Sequence, residues 1–164
     1  MTTFHILLLL TTLLCSLVAG FLFAFAAVVM PGIRRLDDGG FIRAFQVMDG
    51  VIQNNQPLFV LVWLGSVLAA VAAGVSGLWA LDGADRMLLV IAVLVYIFGV
   101  QAPTFVINIP LNNRLQKLDA SAMAEPARKR ARDEFEPRWN RWNAIRTALA
   151  TVASILMLLV LARA

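Results

Sequence analysis

Residues 57–81 read PLFVLVWLGSVLAAVAAGVSGLWAL, without one Asp, Glu, Lys, Arg or His. A helix needs about 20 consecutive apolar residues to cross a bilayer core, so this stretch reads as a membrane span. Working outward, two more charge-free runs cover 6–30 and 87–109, and a fourth run, 143–161, holds a single charge, Arg146. The first run is not a cleavable leader by its own composition. It lacks a basic n-region, and its apolar core exceeds the usual ~7–15 residues.

The whole composition agrees. Hydrophobic residues make up 60% of the 164, charged residues 15%, and mean hydropathy is +0.80. Soluble domains sit near ~45–50% apolar and roughly 25% charged. We therefore expect an all-α membrane protein, one domain over 1–164, built as a four-helix transmembrane bundle. The net charge of +4 and pI of about 10.2 would suggest nucleic acid in a soluble chain; here they reflect the positive-inside bias of loops, and no nucleic-acid partner is expected. One Cys and one His exclude an intrachain disulfide, a thiolate cluster and a multi-His metal site within one chain.

Cation placement sets the orientation. The first loop holds Arg34, Arg35 and Arg43. The third holds Arg114, Lys117, Arg128, Lys129, Arg130, Arg132, Arg138 and Arg141, and of all 14 Lys and Arg only Arg86 and Arg163 fall on the other face. Loops 31–56 and 110–142 are thus expected in the cytoplasm, with both termini outside. The abundance of alanine and arginine points to a GC-rich bacterium and its inner membrane.

Small residues let membrane helices approach closely. Gly65, Ala69, Ala73 and Gly77 recur every four residues, with shorter stripes at Gly20/Ala24 and Ala150/Ser154. These read as packing seams, and a homo-oligomer is compatible with them. In the first loop Phe41, Phe45, Met48 and Ile52 share one face, predicting an interfacial amphipathic helix entering from Gly39-Gly40. Asp37 and Asp38 read as a solvated turn. The third loop should be helical, with i, i+4 pairs Lys129–Asp133, Arg130–Glu134 and Arg132–Glu136 on a solvated face.

Polar groups at membrane depth must find partners. Gln101, Phe105, Asn108 and Asn112 are spaced to share a face of the third span, while Pro103 and Pro110 each remove a backbone hydrogen bond. Either the amides glue neighbouring helices together, or the stripe lines a cavity. Trp139, Asn143 and Arg146 share a face of the fourth span. An aromatic belt with a snorkelling arginine is one reading. The other is an inward guanidinium that holds a phenolate or enolate oxygen or a buried acid. If the first loop folds back, Asp49, Gln53 and Asn54 join these faces in a polar pocket at the membrane boundary, open to apolar molecules.

The run Asn108-Ile109-Pro110-Leu111-Asn112-Asn113, followed by Trp139-x3-Asn143-x2-Arg146-Thr147, resembles the anthrone oxygenase-like family of small four-helix membrane proteins. The segment from Asp49 through Pro57 is similar too, and the resemblance runs from about Leu9 to Met157. It implies oxidation of an anthrone to an anthraquinone without metal or organic cofactor. Asn108, Asn112, Asn143 and Arg146 would be site residues, with Trp139 a pocket wall. The family's expected base is a histidine. The sole one here, His5, stands at the far end of the first helix, which leaves Asp49. Catalytic roles thus fall to Asp49, Asn143 and Arg146, and substrate binding to Gln101, Asn108, Asn112, Trp139, Gln53 and Asn54. Expected partners are membrane lipid, a hydrophobic small molecule and, for an enzyme, molecular oxygen. The alternative is a non-enzymatic membrane protein that binds lipid or quinone or serves as an accessory subunit. A transporter is disfavoured, with no internal repeat and no intramembrane acid pair.

Overall fold

The computed structural model describes residues 2–163; Met1 and Ala164, the two ends of the expected 1–164 domain, lie outside the described residues. Five helices follow one another: α1 Thr3–Ile33, α2 Asp38–Gln53, α3 Pro57–Ala80, α4 Gly83–Gln116 and α5 Glu125–Arg163. All but α2 are long and apolar enough to cross a membrane. The bundle turns Leu17, Phe23, Leu61, Leu68, Phe98 and Leu158 outward. In water that surface would be an aggregation liability; in hydrocarbon it is the lipid face.

α1 packs mainly against α3 and α5, and α4 against α5. Between them Cys15, Val18, Ala70, Tyr96, Val100, Ala150 and Met157 form the core. The seam on α3 serves two partners. A four-residue step advances about 400°, so the stripe drifts roughly 40° per turn. Gly65 and Ala69 meet α1, where a Cβ on Gly65 would lie 3.5 Å from Leu14 and the Thr11 hydroxyl donates to the Ala69 carbonyl at 3.0 Å. Gly77, further along, is overlain by Leu89 of α4. Gly20 and Ala24 are exposed and take no part in packing, whereas Ala150 and Ser154 are buried.

The prolines leave a common signature. α1 has a π-helical stretch at Phe25–Val29, and α4 has two, at Val95–Gln101 and Thr104–Asn108. In each case the residue just before a proline closes the wide turn: Met30 N–H reaches Phe25 O, Ala102 reaches Ile97 O, and Ile109 reaches Thr104 O. A proline donates no hydrogen bond, and a π turn is one way for a helix to absorb the gap without breaking.

α2 starts ahead of Gly39-Gly40. Asp37 caps it, accepting from Gly40 N–H at 2.6 Å, and the helix begins at Asp38. Its buried face is Phe41, Ile42, Phe45 and Asp49, with Met48 and Ile52 only half-buried. The helix tucks beneath the bundle. Phe45 packs against Phe135 and Trp139 of α5, with ring centroids 4.7 and 5.5 Å apart. Gln46 Nε2 donates to the carbonyls of Leu115 and Leu118 at 2.8 and 2.9 Å.

Asp38 is not in a solvated turn. Its carboxylate meets Arg132 at 3.0 Å, and Arg132 also donates to Glu136 at 2.8 Å and to the carbonyls of Arg34 and Leu36 at 2.8 and 3.0 Å. Of the other i, i+4 pairs, Lys129–Asp133 closes at 2.7 Å, while Arg130–Glu134 forms no ion pair among the described residues. In the turn after α4, Asp119 accepts from the Ser121 hydroxyl and the N–H groups of Ser121 and Ala122, which hold its carboxyl below the usual range.

Candidate functional site

α3 and α4 touch from Gly77–Leu89 down to the Ser66–Tyr96 and Trp63–Gln101 hydrogen bonds, at 2.6 and 2.9 Å. Beyond that layer, toward the charged end of the bundle, a cavity of about 280 Å³ opens. Its walls are largely aromatic: Phe21 and Phe25 of α1, Phe45 of α2, Phe59 and Trp63 of α3, Phe105 of α4 and Trp139 of α5. Trp63 stacks on Phe59 at 5.2 Å, and Phe25 leans on Trp139 at 5.7 Å. Phe105 is 61% exposed and stands at the rim.

Two polar groupings face this space. The first centres on Arg146, which is 3% exposed. Its Nη1 donates to Thr104 Oγ1 at 2.8 Å and its Nη2 to Asn143 Oδ1 at 3.0 Å. Both acceptors are fixed from behind. The Thr104 hydroxyl donates to Val100 O at 2.7 Å, and Asn143 Nδ2 donates to Leu22 O at 3.1 Å, beside the π turn of α1. No carboxylate pairs with Arg146 among the described residues, and its Nε has no partner. Asn108, 2% exposed, has neither amide atom satisfied.

The second grouping centres on Asp49, 4% exposed. Oδ1 accepts from Asn112 Nδ2 at 2.7 Å; Oδ2 accepts from Gln53 Nε2 at 2.7 Å and Gln116 Nε2 at 2.9 Å. Three neutral amides thus surround a carboxylate that makes no ion pair among the described residues. Trp139 Nε1 donates to Asn112 Oδ1 at 2.8 Å.

The cavity brings together Asp49, Gln53, Asn108, Asn112, Trp139, Asn143 and Arg146 from the sequence-based set. Two others stand apart. Gln101 is buried but lies in the layer above, accepting from the Trp63 indole. The π turn between Gln101 and Asn108 adds a residue to the helix and rotates the face by roughly 100°. Asn54 is exposed at the end of α2, where its N–H closes the helix on Gly50 O at 2.9 Å. His5 is hydrogen-bonded to Thr2 on the opposite end of α1 and does not line the cavity.

Thr104 and Gln116 are functional candidates the sequence reading missed. Thr104, Asn108, Asn112 and Gln116 recur every four residues, and that polar stripe was the available signal. Among the described residues no three His, Cys, Asp or Glu side chains converge to hold a metal ion.

A family model described as anthrone oxygenase matches residues 46–156. That span takes in Asp49, the polar stripe of α4 and the Trp139–Arg146 face. No curated protein and no solved structure matches the chain.

Proposed function

The chain belongs to the anthrone oxygenase family, and from that premise we propose that it is a membrane-embedded, cofactor-independent oxygenase of an apolar, phenolic, anthrone-like molecule. One observation carries the reading. A buried guanidinium without a carboxylate and an asparagine with both amide atoms unpaired line one aromatic cavity. A buried charge without a partner is costly and marks function by default. An anionic oxygen on a flat aromatic molecule in that cavity would supply the counter-charge that Arg146 lacks. At about 280 Å³ the space is close to the lower end of small-molecule sites, suited to one flat fused-ring compound.

The chemistry needs a base and oxyanion donors. Asp49 takes a proton from the ring methylene, and the resulting charge collects on the oxygen held by Arg146. This electron-rich anion reduces O2. A carbon–oxygen bond forms, one oxygen stays as the new carbonyl, and the other leaves as water with the two methylene hydrogens. Gln53, Asn112 and Gln116 keep the carboxylate in place, and Trp139 and Phe25 wall the rings. The charge bias of the loops supports an orientation with 31–56 and 110–142 in the cytoplasm and both termini outside, in a bacterial inner membrane.

Oxygen uptake by the protein in lipid nanodiscs, with anthrones and hydroquinones as substrates, tests the reading. Uptake above empty discs, lost in Arg146→Ala, is the expected result. Uptake equal to empty discs with every substrate overturns it in favour of a non-enzymatic binding role.

A further inference from the structure

On the far side of Asn143 from the aromatic cavity lies a cleft of about 590 Å³ between α1 and α5. Arg34, Arg35, Asn140 and Asn143 form its polar part; Ala26, Met30, Pro31 and Ala144 form the rest. Its depth follows from the sequence. The apolar run of α1 gives way to Arg34 and Arg35, and that of α5 begins at Asn143, just after Arg141, so the cleft straddles the level at which hydrocarbon gives way to headgroups.

The arginine pair is held in place and left with charge to spare. Arg132 donates to the backbone carbonyls of Arg34 and Leu36, fixing the segment that carries the pair. The acids nearby are already engaged. Asp37 caps α2, Asp38 and Glu136 accept from Arg132, and Glu136 also meets Arg34 at a longer 3.7 Å. The Arg35 side chain makes no hydrogen bond or ion pair among the described residues. Below the cations the cleft wall is small and apolar, with Ala26 half-buried and Ala144 exposed. A basic pocket between membrane helices at headgroup level suits an acidic lipid head, with room beneath it for the glycerol and upper acyl chain.

We propose that the Arg34–Arg35–Asn140 cleft binds the phosphate-bearing headgroup of an anionic phospholipid, whose acyl chains run down the α1–α5 groove past Ala26 and Ala144. The inference is independent of the oxygenase reading, since it uses neither the aromatic cavity nor Arg146.

Native mass spectrometry of the detergent-solubilised full chain, offered equimolar phosphatidylglycerol and phosphatidylcholine, tests it. The wild type should carry phosphatidylglycerol at about tenfold or more over phosphatidylcholine. Arg34→Gln/Arg35→Gln should bring the two lipids near parity. Arg35→Gln alone, which removes no contact within the fold, should lower the preference severalfold with an unchanged helical circular-dichroism spectrum. Arg130→Gln, the same charge change away from the cleft, should leave it intact. A preference that survives the double variant, or falls equally in Arg130→Gln, overturns the site. Displacement of phosphatidylglycerol by excess inorganic phosphate overturns the lipid assignment.

Discussion

The indole N–H of Trp139 donates to the amide oxygen of Asn112 at 2.8 Å, which leaves Asn112 only its N–H groups to offer Asp49, 2.7 Å away. A tryptophan on α5 thus sets which end of an α4 amide meets a carboxylate on α2. Trp139→Phe keeps the ring but releases the amide. Losing one such hydrogen bond is worth about 1 kcal/mol, or roughly fivefold. Oxygen uptake should fall by about that much, with a loss of thermal stability no larger than that one bond, about 1 kcal/mol.

Asp49→Asn keeps the shape and removes the proposed base. General-base losses run to about 10²–10⁴-fold, and single-turnover oxygen uptake should drop within that range. Quenching of tryptophan fluorescence by a bound non-oxidisable analogue checks that the cavity still forms. A variant with full turnover would remove Asp49 from the reaction.

Arg146 separates activity from stability. Arg146→Ala should cost about 10²-fold or more in uptake, the scale of a lost oxyanion donor. Because it also deletes a buried cation lacking a carboxylate, its unfolding midpoint in detergent should stay level or rise. Arg146→Lys should recover part of the activity, since it keeps the charge but loses the planar fork. A large drop in stability would make Arg146 a structural group.

Gly77 of α3 lies directly beneath Leu89 of α4, which leaves no room for an added Cβ. Gly77→Leu should destabilise the bundle by about 1–3 kcal/mol through overpacking, read as a lower melting temperature in detergent. Gly20→Leu, where no atom lies within 4 Å of the added Cβ, should leave the melting temperature unchanged.

Arg132→Ala should detach the 34–38 segment from α5. Two exposed carbonyls and two part-buried carboxylates lose a donor at once, and each part-buried carboxylate left bare costs about 1–3 kcal/mol when water does not replace the lost donor. Protease cleavage between Arg34 and Asp38 should be faster than in the wild type.

The spans were legible because hydropathy over a helix length needs no tertiary information: residues 57–81 declare themselves. Asp49, Asn112, Asn143 and Arg146 were legible for the opposite reason, as polar groups in surroundings that penalise them. The register of α4 was not. Counting at 3.6 residues per turn groups Gln101 and Phe105 with Asn108 and Asn112. The π turn before Pro110 takes Gln101 out of that face and leaves the four-residue stripe Thr104, Asn108, Asn112 and Gln116 toward the site. Phe21, Phe25 and Phe59 were illegible too. Their ring chemistry equals that of lipid-facing Phe23 and Phe98, and only packing tells them apart.

Arg146 also bears on how the protein is made. α5 leaves the ribosome after the other spans, and an arginine entering hydrocarbon alone carries a cost that reaches about 2.5–3.5 kcal/mol at the centre of a span and is smaller one turn from its end. Here the hydroxyl of Thr104 is already in the membrane on α4 when α5 arrives, and Asn143 travels with the arginine one turn away. The earlier helices therefore act as a receiving template, and insertion of the final span is coupled to completion of the site.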